Sequence, residues 1–188
     1  LKADIPELPD DKKKRFIDEF KVSAYEATIL VSDIETAKYF EEVVAKMGKN
    51  RDMKLAVNWI TGELFAVLNN KNLEISQSPI SAKNLAKLIN LIKNGTISGK
   101  IAKTIFELMM DGDKDPQIIV EEKGLKQQSD PKALEALIDK IIDDNREKAI
   151  EYKNGKEKLF GFFVGQAMKV SGGKANPQLI NEILKKKL

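Results

Sequence analysis

The chain has 188 residues, 42% of them hydrophobic and 32% charged, with a formal net charge of +3. That is enough apolar material for a buried core in one or two domains. It contains no cysteine and no histidine, which excludes disulfides, thiolate zinc sites, cysteine nucleophiles and an imidazole base, so any catalysis would fall to Asp, Glu, Lys, Ser or Tyr. No apolar run approaches the ~18 residues of a membrane span and no secretory signal is visible, so a soluble cytoplasmic protein without a membrane partner is expected. The first residue is Leu1 rather than Met, and the chain is read as part of a longer protein.

In chain order, residues 1–9 carry prolines at 6 and 9 and predict an extended linker. Helix signals then follow almost without interruption. Ser23 with Glu26 and Ser32 with Glu35 both have capping-box spacing. Ile80 and Leu85 flank Ser81 as a hydrophobic staple around a cap. Asp115-Pro116, Asp130-Pro131 and Asn176-Pro177 each put a capping side chain before a proline at the first helical position. Leu85, Leu88, Ile89 and Ile92, like Ile101, Ile105, Leu108 and Met109, recur at helical spacing, and no run alternates as a strand would. The prediction is all-α, with helices at residues 10–20, 24–30, 33–47, 52–69, 82–94, 99–111, 116–123, 131–144, 146–153, 157–169 and 177–187. Residues 70–80 read as an ordered connection and the polar, glycine-containing 123–130 as a linker. A multi-helix bundle over 10–126 and a three- or four-helix tail over 127–188 are therefore expected.

Charge is unevenly placed. Between Lys153 and Leu188 there are eight lysines and only two glutamates, the pattern of a polyanion-binding surface, although a merely solvated lysine face gives the same count. Two motif-like stretches do not hold up. Asp111-Gly-Asp113-Lys-Asp115 begins like a calcium loop, but Pro116 stands where the turn needs glycine. Gly95-Thr-Ile-Ser-Gly-Lys100 is one residue short of a phosphate loop and Ile101 replaces the magnesium-binding hydroxyl. A smaller role survives there: Ser98 caps a helix whose free amides, beside Lys100 and Lys103, can hold a phosphate. In Ser171-Gly-Gly-Lys-Ala-Asn-Pro177, Asn176 caps the last helix and Lys174 stands beside its N-terminus, a second anion-binding arrangement. The apolar segment Leu159–Met168 should be the central helix of the tail, with Gly161 and Gly165 admitting another backbone at close range.

A family resemblance rests on motifs in a fixed order: Ile5-Pro-Glu-Leu-Pro9, Asn58-Trp-Ile-Thr-Gly-Glu-Leu64, Ser78-Pro-Ile80, Gly95-Thr-Ile-Ser-Gly-Lys-Ile-Ala-Lys103, Glu122-Lys-Gly-Leu125, Val164-Gly-Gln-Ala-Met-Lys169 and Gly173-Lys-Ala-Asn-Pro-Gln178. Together they resemble the C-terminal part of the GatB family of bacterial aspartyl/glutamyl-tRNA amidotransferase subunits, which ends in a YqeY-like tail. The resemblance implies conversion of Glu-tRNA(Gln) or Asp-tRNA(Asn) to Gln-tRNA(Gln) or Asn-tRNA(Asn) by a parent complex that also holds subunits A and C, with glutamine as amido donor. ATP and magnesium belong to a cradle preceding this chain. The piece itself then has no catalytic residue, no metal and no cofactor, and its partner is tRNA(Gln) and/or tRNA(Asn). The residues expected to meet phosphates are Lys100, Lys103, Lys156, Lys158, Lys169 and Lys174, with Gly172 and Gly173 giving backbone access. Competing readings are a protein–protein adapter, a stand-alone YqeY-like protein, and a carboxylate hydrolase, the last disfavoured because Asp143 and Asp144 diverge on a helix.

Overall fold

A computed structural model describes residues 7–49 and 51–188; the extended reading of residues 1–6 lies outside the described residues. The all-α expectation holds: among the described residues the only β-type pairing is a single parallel bridge between Gln128 and Ala175. Chain contacts divide the molecule into two units, one made of the residues up to Lys93 with Phe106–Ile118, the other of Asn94–Ile105 with Ile119–Leu188.

The first unit begins with α1 (Pro9–Phe20), whose first helical position is Pro9, α2 (Ala24–Leu30) and α3 (Ile34–Lys46). Phe16, Phe20 and Phe40 meet with ring centroids 5.1 to 5.4 Å apart. This cluster is roofed by charge: Arg15 makes a bidentate pair with Glu7, both bonds 2.7 Å, and also reaches Glu41. The box expected at Ser23 forms in full. The one expected at Ser32 does not: Asp33 takes the cap instead, accepting from Thr36 N at 2.8 Å and Thr36 Oγ1 at 2.5 Å. The Asp33 carboxylate offers a separate oxygen to each donor, Oδ1 to the amide and Oδ2 to the hydroxyl.

One long helical stretch follows as α4 (Met53–Asn58), a π-helical segment Trp59–Leu64 and α5 (Phe65–Lys71). In the middle segment the Phe65 N–H reaches back to the Ile60 carbonyl, and Thr61 Oγ1 donates to the Val57 carbonyl at 2.8 Å. Trp59 packs on Phe106 at 5.5 Å. After a short 3₁₀ turn (Ile75–Gln77) comes α6 (Ala82–Lys93), packed on α3. Tyr39 donates its hydroxyl to the Ile80 carbonyl at 2.8 Å, and burial pushes its phenol well above the ordinary range. The calcium-like loop is committed to internal contacts: Asp113 accepts from Ser81 N at 2.9 Å, Asp111 pairs with Lys114 and Asp115 with Lys87. Burial works to raise the Asp115 pKa, but hydrogen bonds from Lys87 and the Gln117 amide outweigh it and hold the carboxyl low.

α7 (Gly99–Met109) and α8 (Pro116–Glu122) contain residues of both units. The second unit is otherwise α9 (Pro131–Asp144), α10 (Arg146–Lys153), α11 (Leu159–Val170) and α12 (Pro177–Lys187). Its core is Leu134, Ile138, Ile141, Phe163, Ala167, Ile180, Ile183 and Leu184, with Ala149 and Ala175. α9, α11 and α12 pack mutually, so this core is a three-helix seam with α10 closing one side. Lys187 ties α12 to Asp139 of α9 at 2.6 Å. Among the described residues no helix is long and apolar enough to cross a membrane.

Candidate nucleic-acid interface

The lysines expected to meet phosphate fall into two groups, one at each end of α11. The first surrounds the turn that closes that helix. Gly172 N donates to the Lys169 carbonyl at 3.1 Å and Gly173 N to the Met168 carbonyl at 2.8 Å, the pair of bonds that ends a helix through a left-handed residue. Gly172 has φ +61° and Gly173 φ +80°, conformations in which a β-carbon is strained. Lys169 is exposed in the last turn of α11 and Lys174 is half-buried just past it.

Onto this turn comes the start of α7. Ser98 is buried, and its Oγ accepts from Ile101 N at 3.2 Å while donating to the Gly173 carbonyl at 3.0 Å, 75 residues away. The neighbouring backbone is laced together: Gln127 N donates to the Thr96 carbonyl at 2.6 Å, Gln128 N to the Lys174 carbonyl at 2.6 Å, and Asn176 N to the Gln128 carbonyl at 3.0 Å. The segment read as a linker is thus a stitched part of this unit, and Gly124 within it closes α8 by the same two-bond pattern seen at Gly172. Lys100, Lys169 and Lys174 are thereby brought to one turn, with Lys103 exposed one helical turn beyond Lys100.

The second group, Lys156 and Lys158, is exposed before α11. Lys156 is paired with Glu151 at 3.0 Å, and Glu157 lies between the two lysines, so this end is less positive than a count of lysines suggests. Lys158, Gly161, Gly165 and Lys169 are all exposed and recur at three- and four-residue spacing, one face of a helix, with Gly172 exposed just past its end. Two lysines roughly 16 Å apart, at 1.5 Å per residue, thus frame a strip on which two positions have no side chain.

Three expectations need revision. Gly161 and Gly165 do not admit another backbone inside the core: an added β-carbon at either would meet nothing within 4 Å. The α12 N-terminus is not an open anion site, because Pro177 has no N–H and Asn176 Oδ1 already accepts from Gln178 N at 3.0 Å and Leu179 N at 3.4 Å. Gly173 offers no open backbone, being buried beneath the Lys100 side chain. What remains for an anion is the start of α7, where Gly99 and Lys100 are exposed and their amides have no intrahelical acceptor.

The sequence reading missed the outward face of Gly161 and Gly165 and the second role of Ser98. The helix around the glycines is apolar on nearly every side, so no polar stripe marks which face is outside. A stacking role for its rings is not available to Phe163, which is fully buried; Phe162 is half-buried, edge-on to Phe163 and capped by Lys148 Nζ at 4.6 Å. Among the described residues no group of three or more carboxylates stands ready to hold a metal.

Residues 38–188 match the GatB_Yqey family, described as the GatB domain, and the chain belongs to it. Over all 188 residues the chain is 96% identical to the GatB-type subunit of the aspartyl/glutamyl-tRNA(Asn/Gln) amidotransferase of Pelagibacter ubique (strain HTCC1062), spanning 38% of that protein. It is 51% identical to the corresponding amidotransferase subunit of Rickettsia felis (strain URRWXCal2), also spanning 38%, and 50% identical to that of Thioalkalivibrio sulfidiphilus (strain HL-EbGR7), spanning 39%. The chain therefore covers well under half the length of these relatives.

Proposed function

We propose that this chain is a tRNA-gripping part of a GatB-type amidotransferase subunit. It holds tRNA(Gln) or tRNA(Asn) by the phosphates while the parent complex converts Glu-tRNA(Gln) or Asp-tRNA(Asn) to the amidated form in the cytoplasm. The observation that carries the reading is the meeting of Lys100, Lys169 and Lys174 at the Gly172–Gly173 turn, in a chain whose relatives are named as tRNA amidotransferase subunits. Folded RNA presents phosphate and shape rather than a readable major groove, and ammonium groups with exposed helix-start amides suit that surface. The reaction, with its ATP and magnesium and its subunits A and C, we assign to the remainder of the parent protein and its complex. The chain alone is then non-catalytic.

The test is a titration of the 188-residue chain with tRNA at several salt concentrations, beside an assay for ATP turnover. The reading expects binding that weakens steeply with salt, because each neutralised phosphate releases counterions, and no ATP consumption. Salt-insensitive association with another subunit of the complex and no affinity for tRNA would make the chain an adapter instead.

A further inference from the structure

We infer that Ser98 and Gly173 are positioning residues that together fix the Lys100 ammonium over the turn at 172–174; that Lys100 then meets RNA phosphate rests on the function proposed above. The motif alone gives Ser98 one task, capping α7. The structure gives it two. Its hydroxyl accepts from Ile101 N and donates to the Gly173 carbonyl, a combination open to a hydroxyl and closed to a carboxylate cap, which cannot donate. At 7% exposure neither bond is shared with bulk solvent.

Gly173 completes the arrangement by what it lacks. A β-carbon built there would lie 3.2 Å from Lys100 Cδ, 3.7 Å from Cε and 3.8 Å from Nζ. The lysine stem therefore lies across the glycine, and a methyl group there requires the stem to give by a few tenths of an ångström. Gly172 supplies the internal contrast: it has the same left-handed backbone, φ +61°, but an added β-carbon would meet nothing within 4 Å. Backbone strain is common to both glycines, whereas displacement of Lys100 belongs to Gly173 alone.

The experiment uses the 188-residue chain and Gly173→Ala, Gly172→Ala, Ser98→Ala and Lys100→Ala. Carbon–proton NMR of the free protein reads whether the two Cε protons of Lys100 are distinct, as they are on a fixed stem, or averaged. The inference expects distinct resonances in the parent chain and in Gly172→Ala, and averaged ones in Gly173→Ala and Ser98→Ala. For tRNA affinity it expects Gly173→Ala and Lys100→Ala each to lose roughly fivefold, and the double variant to lose no more than either alone. Averaged resonances in the parent chain, equal averaging in the two glycine variants, or losses that multiply in the double variant would each overturn it. Should Ser98→Ala fail to fold, the two glycine variants still decide. If the parent chain binds no tRNA, the proposed function falls while the NMR comparison still judges the positioning.

Discussion

At Gly161 and Gly165 a methyl group would enter open space on helical backbone, so alanine adds no clash and removes the entropic cost that glycine carries within a helix. Each Gly→Ala change should therefore stabilise the chain by about 0.5–1 kcal/mol, seen as a higher thermal midpoint; destabilisation would return these glycines to the core. If tRNA lies along the strip, the same substitutions weaken its binding, so stability and affinity move in opposite directions. Glu26 supplies a second test. The Ser23 backbone N–H, with the serine hydroxyl, holds the Glu26 carboxyl below its ordinary 4.5. A lowered folded-state pKa means its contribution is full above the unfolded value and lost as pH falls through the folded one. Glu26→Gln keeps the acceptor but not the charge, so it should lower stability near neutrality, converge with the parent as pH falls below about 4.5, and thereby flatten the acid side of the stability–pH curve. Urea midpoints compared for the two proteins at acidic and neutral pH check this, and parallel curves would contradict it.

At the scale of elements the helices were legible because their ends carry local chemistry. Asp130 and Asn176 before proline start α9 and α12 where expected, since a cap needs only the next three residues. The cap of α3 slipped by one because Ser32 and Asp33 both fit the pattern and only geometry chooses between them. The π-helical segment was not legible: its wider turn spans six residues, too few for the hydrophobic period to separate from that of an α-helix. Packing of the second unit follows from few residues. Phe163 is fully buried among α9, α11 and α12, so Phe163→Ala should cost about 3–5 kcal/mol and leave the four helices of this unit without a cooperative thermal transition. A loss below about 1 kcal/mol would show that the seam is not centred there.

At the scale of the whole molecule, charge asymmetry pointed to the lysine-rich end, but not to the lysines that meet. Lys100 and Gly173 are far apart in sequence, and nothing local in either segment announces the other; the Ser98–Gly173 bond is a tertiary fact. Lys156 looked equivalent to Lys169 in sequence, yet Glu151 occupies it. Under the proposed function, Lys169 and Lys174 therefore rank above Lys156 as candidates for phosphate. Exposed and half-buried lysines away from the core usually alter stability by less than about 0.5 kcal/mol, so their removal separates binding from folding. The most direct measurement is the salt dependence of tRNA affinity for the 188-residue chain and its Lys169→Ala/Lys174→Ala variant, with thermal midpoints recorded on the same samples. A phosphate-gripping turn predicts an unchanged midpoint, weaker binding, and a log–log salt slope reduced by about one for each lost phosphate contact. An unchanged affinity and slope in the folded variant would contradict it and leave the lysine turn as solvent-facing surface.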